Sequence, residues 1–156
     1  KIALMEIFID RLRTELEVDE GCKYETYLDH LGLPTAGVGH LLIGKDPEYN
    51  KPIGTAVSKE RVAEWFEQDV ATTLDDCKKV YDNWDNMNET VRLICANMMF
   101  NLGYPRYCKF KKMIQAIKDE DWLEAGNQMQ DSRWYKQVTN RADRLISRMK
   151  GVSLQN

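Results

Sequence analysis

The chain is poor in the residues and segments that define several special classes of protein. Its 156 residues include four cysteines, two histidines and four prolines, and neither a low-complexity tract nor an internal repeat occurs. No stretch approaches the roughly 18 uninterrupted apolar residues of a membrane-spanning helix, so stable membrane insertion is not expected. Two histidines without a cluster of further ligands predict neither a metal site nor another cofactor. One compact domain, or two small lobes, suits this length.

The cysteine spacing excludes the common metal and redox motifs. Cys22, Cys77, Cys95 and Cys108 are separated by 55, 18 and 13 positions, which fits neither a zinc knuckle nor a C-x-x-C pair. Free thiols in the core are the expectation. Residues 1–21 carry charges at helical spacing and predict an amphipathic helix, not a cleavable signal. Both features predict a protein that is made and kept in a reducing cytosol.

Charge is unevenly distributed along the chain. The net charge of -3 combines 11 basic and 19 acidic residues in 1–105 with 11 basic and 6 acidic residues in 106–156. The basic part can attract an anionic polymer, and an ordinary solvated helical surface explains the same pattern. A nucleic acid is not the expected partner, because the helix predicted after Ser58 is acidic where phosphate contacts would be required.

Apolar periodicity predicts an α+β protein that is mostly helical. Apolar residues recur at helical spacing in six stretches, which are residues 3–17, 58–78, 89–102, 110–117, 122–129 and 142–149. In the first stretch Ile7, Phe8, Leu12 and Leu16 form the apolar stripe. Asp69 falls on the apolar face of the second stretch, where an acid needs a partner.

Two short segments between the first two helices have the pattern of a β-hairpin. Residues 24–29 (YETYLD) and 34–40 (PTAGVGH) are predicted strands, joined by a tight turn at residues 30–32. Strand alternation would place Thr35, Gly37 and Gly39 on one face. The two glycines would then let a bulky ligand approach the main chain.

Two carboxylates flank this hairpin at positions that suit catalysis. Glu20 is predicted at the end of the first helix and Asp29 on the first strand. Glycoside hydrolysis needs such a pair, one carboxyl group as acid and the other to handle water or the sugar cation. Spacing alone is weak evidence, because the chain contains 25 acidic residues.

A set of residues around the hairpin carries a family resemblance. These residues are Glu20, Gly21, Tyr27, Asp29, Gly32, Thr35, Gly37, Gly39 and His40. In this order and spacing the segment resembles the lysozymes of T-even-type bacteriophages, the phage muramidases or endolysins, which are glycoside hydrolases that cleave peptidoglycan. Residues 132–135 (SRWY) and 140–142 (NRA) extend the resemblance almost to the end of the chain.

The resemblance implies a lysozyme-like fold for the whole chain. It predicts one domain over residues 1–156, in which residues 21–57 form a small β-hairpin lobe and residues 58–80 a long linking helix. Residues 1–20 together with residues 81–156 are expected to form a mostly helical lobe. The active-site cleft is expected between the two lobes.

The resemblance also implies roles for individual residues. Glu20 is the expected general acid and Asp29 the base that directs water, assisted by Thr35. The expected stereochemical outcome is inversion at the anomeric carbon. The expected substrate-binding residues are Gly39, His40, Leu41, Phe100, Asn101, Gln128 and Arg141. Gln128 stands where the family usually has asparagine, and Met113 where serine is common. His40 and Asp69 are expected to form a structural pair.

The resemblance therefore implies a muramidase, which we expect to be monomeric and to need no cofactor. It would hydrolyse the β-1,4 bond between N-acetylmuramic acid and N-acetylglucosamine in peptidoglycan glycan strands and so lyse the wall. An inactive homologue that serves as a glycan-binding or structural module is the alternative. The expected location is the cytoplasm of the host bacterium during synthesis, with a separate export or membrane-permeabilising factor providing access to the wall.

Overall fold

A computed structural model describes residues 2–155 of the chain. Over these residues the chain forms eight α-helices, three short strands and three short 3-10 turns. It divides into two compact units, Lys1–Thr72 and Thr73–Asn156. The finer lobe boundaries expected from the sequence stay a prediction. No helix within residues 2–155 is long and apolar enough to cross a bilayer.

Helix α1 (Ile2–Glu20) opens the first unit. Phe8, Leu12 and Leu16 form its buried stripe. The prediction that Ile7 belongs to this stripe is wrong, since Ile7 is 48% exposed. The helix ends because Gly21 adopts a φ of +72°, a conformation that glycine reaches without the steric cost of a Cβ atom.

The sheet has three antiparallel strands in the order β1 (Lys23–Leu28), β2 (Pro34–Gly37) and β3 (His40–Leu41). The expected single strand over residues 34–40 is therefore wrong. Gly37 and Gly39 have φ values of +64° and +59°, so the chain turns back at Val38 and Gly39. Because alternation stops at this turn, the expected common face of Thr35, Gly37 and Gly39 does not form.

Helix α2 (Lys59–Val80) follows a loop that contains a 3-10 turn at Pro47–Asn50. The Ser58 hydroxyl caps the helix by accepting a hydrogen bond from the Arg61 N–H at 3.1 Å. Strand β2 packs closely on its first turns, because a Cβ atom on Gly37 would lie 3.0 Å from Cγ1 of Val62. The residues of α2 buried within the first unit are Val62, Trp65, Phe66 and Val70.

The second unit is built around α3 (Glu89–Leu102). Nine of its fourteen residues are buried, as its nearly continuous apolar sequence predicts. The Asn88 side chain caps the start by accepting the Val91 N–H at 3.2 Å. Gly103, with a φ of +79°, ends the helix.

Five shorter helices complete the second unit. They are α4 (Tyr104–Tyr107), α5 (Lys111–Lys118), α6 (Trp122–Gln130), α7 (Arg133–Gln137) and α8 (Thr139–Gly151). The predicted apolar face of α8 is confirmed, since Ala142, Leu145, Ile146 and Met149 are all buried. Helices α6 and α8 pack closely enough that a Cβ atom on Gly126 would lie 2.7 Å from Cγ of Lys150.

All four cysteines are free thiols. Cys77 and Cys95 are buried, but the expectation of a core position is wrong for Cys22, which is exposed. Burial raises the pKa of the Cys95 thiol to about 11. Beside it the hydroxyl groups of Tyr81 and Tyr107 share a hydrogen bond of 2.7 Å. These buried thiols are poor nucleophiles, because the reactive species is the thiolate.

Candidate active site

Glu20 is the last residue of α1, and its side chain lies against the turn that follows β2. A Cβ atom on Gly39 would lie 2.5 Å from Oε1 of Glu20 and 2.9 Å from its Cδ. No real Cβ atom tolerates such distances. Glycine at position 39 therefore provides the space that the Glu20 carboxyl group occupies, a role that the sequence did not predict.

Asp29 lies just after β1, so the prediction that it is on the first strand is wrong. The hairpin turn holds its side chain. Its Oδ1 atom accepts hydrogen bonds from the N–H groups of Leu31, at 2.8 Å, and Leu33, at 2.9 Å. Its own N–H donates to the Leu33 carbonyl oxygen at 2.9 Å. One carboxylate oxygen thus fixes the side chain on the turn, while Oδ2 takes part in none of these hydrogen bonds.

Thr35 lies on β2 with only 3% of its surface exposed. Its hydroxyl group donates to the Leu33 carbonyl oxygen at 2.9 Å. A hydroxyl oxygen that donates one hydrogen bond can still accept others. Because the same Leu33 peptide groups hold both Asp29 and Thr35, the turn sets the positions of these two side chains together.

Tyr27 is a residue of this region for which the sequence predicted no role. It lies on β1 directly opposite Thr35, and opposite residues of an antiparallel pair share one face of the sheet. Burial raises the pKa of the Tyr27 phenol, and the charges of Glu20 and Asp29 raise it further. The signal was available in the sequence, because Tyr27 precedes Asp29 by two residues.

His40 is the first residue of β3 and lies between two carboxylates. Its Nδ1 atom is 2.7 Å from Oδ2 of Asp69, the predicted partner, and its Nε2 atom is 3.2 Å from Oδ2 of Asp46. The ring stacks on Trp65 at a centroid distance of 4.4 Å. The second carboxylate was not predicted, since nothing in the sequence shows that the loop after β3 folds back onto the histidine.

Asp46 ties this loop to α2 as well. It accepts the Ile43 N–H at 3.0 Å and lies 3.8 Å from the Arg61 guanidinium. Burial alone would raise the pKa of Asp46, but the hydrogen bond from Ile43 and the contact with His40 outweigh it and lower the pKa. Burial likewise would lower the pKa of His40, but its bonds to Asp69 and Asp46 outweigh it and raise the pKa above 6.5.

The His40 contacts predict a stability that depends on pH. The histidine contribution is complete below the unfolded pKa of about 6.5 and is lost as pH rises through the raised folded value. The Asp46 contribution is present above the unfolded value of about 3.9 and is lost as pH falls through the lowered one. Replacing Asp46→Asn should reduce the free energy of unfolding at pH 5.5 by about 1.5 to 3 kcal/mol. At pH 8.5 the loss should be smaller.

Urea unfolding at the two pH values measures this difference. Asp75→Asn, an exposed change on α2, is the matched control and should alter stability little at either pH. Equal losses at pH 5.5 and 8.5 for Asp46→Asn would contradict an ionic contact between Asp46 and His40.

The structure places the other expected substrate-binding residues as follows. Leu41 is opposite Thr35 on β3 and is 47% exposed. In the second unit, Oδ1 of Asn101 accepts the indole N–H of Trp134 at 2.7 Å. The Gln128 amide donates to Glu124 at 3.2 Å.

Arg141 and Phe100 belong to the second unit. Arg141 lies on α8, is buried, and donates from Nε to Oδ1 of Asn97 at 2.8 Å. Phe100 lies on α3 and is half-buried. Over residues 2–155, no three His, Cys, Asp or Glu side chains converge in a way that would hold a metal ion.

The helices and the three-stranded sheet form an α+β, lysozyme-like fold. The family model described as Phage lysozyme matches residues 17–151. This chain therefore belongs to the phage lysozyme family, and the resemblance found in the hairpin motif is confirmed.

Curated relatives fall into two groups by length. The chain is 27% identical to Probable T4-type lysozyme 2 of Dictyostelium discoideum, over 89% of this chain and 93% of that protein. It is 35% identical to Peptidoglycan hydrolase gp36 of Pseudomonas phage phiKMV, over 88% of this chain but 15% of that protein. It is also 32% identical to Pre-baseplate central spike protein Gp5 of Enterobacteria phage T4, over 83% of this chain and 26% of that protein.

The comparisons thus match this chain to nearly whole lysozymes and to parts of longer phage proteins. Together with the family model they show that the chain is of the lysozyme type.

Proposed function

We propose that this protein is an inverting muramidase that hydrolyses the β-1,4 bond between N-acetylmuramic acid and N-acetylglucosamine. The observation that carries the proposal is the pair of carboxyl groups at the hairpin, Glu20 at the end of α1 and Asp29 in the hairpin turn, each held by different contacts. Glu20 fills a space that only glycine at position 39 leaves open. Asp29 is fixed through Oδ1 by two N–H groups of its turn. A peptidoglycan substrate is supported by the similarity to the peptidoglycan hydrolase gp36 of phage phiKMV.

In this mechanism the two carboxyl groups have different roles. Glu20 protonates the glycosidic oxygen as general acid. Asp29, through Oδ2, accepts a proton from the water that attacks the opposite face of the sugar. Asp29 and Thr35 both form hydrogen bonds with Leu33, and in this mechanism the Thr35 hydroxyl group orients the water. Attack from the opposite face gives inversion. In inverting enzymes generally, the two carboxyl groups stand roughly 6.5 to 9.5 Å apart, which leaves room for the water.

Digestion of purified peptidoglycan tests the bond and the stereochemistry. Mass spectrometry of the borohydride-reduced products should show muramic acid at the new reducing ends. Proton NMR of the first product should show the α-anomer, because inversion of a β-linkage yields α. Reducing ends formed by N-acetylglucosamine would contradict the bond assignment, and a β-anomer would contradict inversion alone. Walls that bind the protein but release no product would support the alternative, an inactive glycan-binding module.

A further inference from the structure

A small cavity of about 130 Å³ lies within the second unit, between the segment that precedes α3 and the connection from α5 to α6. We call it the asparagine pocket and define it by six of its lining residues, which are Asn83, Asn86, Ile117, Lys118, Glu120 and Trp122. None of these residues has been assigned to hydrolysis or to substrate binding, so the pocket is separate from the candidate active site.

The rim of the pocket carries polar side chains that are free to bond to a ligand. Asn83 precedes a 3-10 turn, but its side chain makes no capping hydrogen bond. Within residues 2–155, the side chains of Asn86, Lys118 and Glu120 also form neither a hydrogen bond nor an ion pair. An amide both donates and accepts, an ammonium group donates and a carboxylate accepts. The rim therefore offers donors and acceptors together, as a ligand with several hydroxyl or amide groups requires.

The two charges of the pocket are opposite in sign. Lys118 and Glu120 are the charged residues that line it, and both are exposed. An ion of either sign would meet one attractive and one repulsive side chain. A neutral hydroxyl group, by contrast, can accept a hydrogen bond from Lys118 or donate one to Glu120. The balance of charge favours an uncharged ligand.

Glu120 occupies a position where glycine is the usual residue. Its φ is +56°, its N–H donates to the Ile117 carbonyl oxygen at 3.0 Å, and the next N–H, of Asp121, donates to Ala116 at 2.8 Å. These two hydrogen bonds form a Schellman motif at the end of α5, in which glycine avoids the strain of a left-handed conformation. Glutamate adds to this strained position a carboxylate that faces the pocket, and strained residues are concentrated at ligand sites.

The floor of the pocket is apolar and ordered. Ile117 and Tyr81, which also lines the pocket, are buried. The Tyr81 hydroxyl group shares a hydrogen bond of 2.7 Å with Tyr107, which fixes its ring. Trp122 is half-buried at the start of α6. An aromatic and aliphatic floor below a polar rim suits a ligand with C–H faces and polar edges, as a pyranose sugar has.

We propose that the asparagine pocket binds a single uncharged N-acetylated amino sugar of a glycan strand. Its hydroxyl groups and its acetamido N–H and C=O complement the amides and charged groups of the rim, and its methyl group and C–H face complement the floor. A volume of about 130 Å³ restricts the site to one sugar unit. The choice of ligand rests on the proposed action on peptidoglycan, and it adds a second place at which the chain holds the glycan.

Titration with N-acetylglucosamine, followed by NMR of the isotope-labelled protein, tests the pocket directly. This sugar contains no glycosidic bond to another residue, so no hydrolysis accompanies its binding. The indole N–H signal of Trp122, identified by its absence from the Trp122→Phe variant, should shift and approach saturation at millimolar sugar. The shift gives the Kd of the pocket.

Two variants and a matched control connect the shift to the rim. N83A/E120G removes an amide and the carboxylate, and its Kd should be about tenfold higher because two hydrogen bonds are lost. E120G alone should also bind more weakly, yet unfold at a urea concentration no lower than that of the unaltered protein, since glycine adopts a φ of +56° without strain. D82N changes an exposed acid beside Asn83 that does not line the pocket, and should bind like the unaltered protein.

Three results would overturn the proposal. The first is an indole signal of Trp122 that does not move with N-acetylglucosamine. The second is an equal Kd for N83A/E120G and the unaltered protein. The third is a shift of the signal with inorganic phosphate or with the zwitterion D-alanine but not with the sugar, which would assign the pocket to a charged ligand.

Wall clearing shows whether the pocket contributes to the reaction. KM of N83A/E120G on purified walls should rise with kcat unchanged, because the pocket contributes binding and not chemistry. A fall in kcat at unchanged KM would contradict this. If the chain does not cleave peptidoglycan, the proposed function fails, but the N-acetylglucosamine titration still tests the pocket. If walls are cleaved and the Trp122 signal does not move, the asparagine pocket alone is excluded as a sugar site.

Discussion

Glu20→Gln should reduce the rate of wall clearing by about 10²- to 10⁴-fold, the usual contribution of general acid catalysis. Glutamine has nearly the shape of glutamate, so it fits the space beside Gly39 that the carboxyl group occupies. It retains hydrogen-bonding groups but has no proton to transfer to the glycosidic oxygen. The free energy of unfolding should therefore change little while the reaction slows.

Turbidity assays on purified walls, together with urea unfolding of the same preparations, measure both effects. Glu17→Gln provides a matched control, since Glu17 lies almost one turn earlier on α1 and is exposed. That variant should clear walls at nearly the original rate. A folded Glu20→Gln protein that clears walls as fast as the unaltered one would exclude Glu20 as the general acid.

Gly39→Ala is expected to lower activity by about 10²-fold. The new Cβ atom would lie 2.5 Å from Oε1 of Glu20, about 1 Å inside ordinary contact, so the carboxyl group has to move. A misplacement of about 1 Å at a catalytic group costs on the order of 10² in rate. The backbone contributes separately, because a φ of +59° costs an L-residue about 1 to 2 kcal/mol of stability.

Gly32→Ala separates the two effects of Gly39→Ala, which are the displacement of the Glu20 carboxyl group and the backbone strain. Gly32 lies in the same hairpin with a φ of +79°, but no atom lies within 4 Å of the position of its Cβ. Gly32→Ala should therefore lose a similar amount of stability and keep most of its activity. Circular dichroism during urea unfolding measures the stability of each variant, and the turbidity assay measures its activity. Equal losses of activity in the two variants would show that Gly39 does not position Glu20.

The structure explains why the sequence predicted the helices better than the hairpin. The helix predicted at residues 89–102 coincides with α3 (Glu89–Leu102), because an apolar run with a capping Asn88 and a terminating Gly103 specifies a helix locally. The strand predicted at residues 34–40 breaks after Gly37. Glycine permits both signs of φ, so the pattern of residues alone could not show where the chain would turn.

By itself the sequence determined the family and the α+β class, and it predicted the pair of acids, Glu20 and Asp29, because these depend on residue identity and on spacing along the chain. The tertiary structure decided which groups surround them. It placed Gly39 against Glu20, added Asp46 to His40, and gathered asparagine, lysine and glutamate side chains from separate segments around one cavity. Such contacts join residues distant along the chain, and no local periodicity encodes them, since they form only when turns and helices bring the segments together.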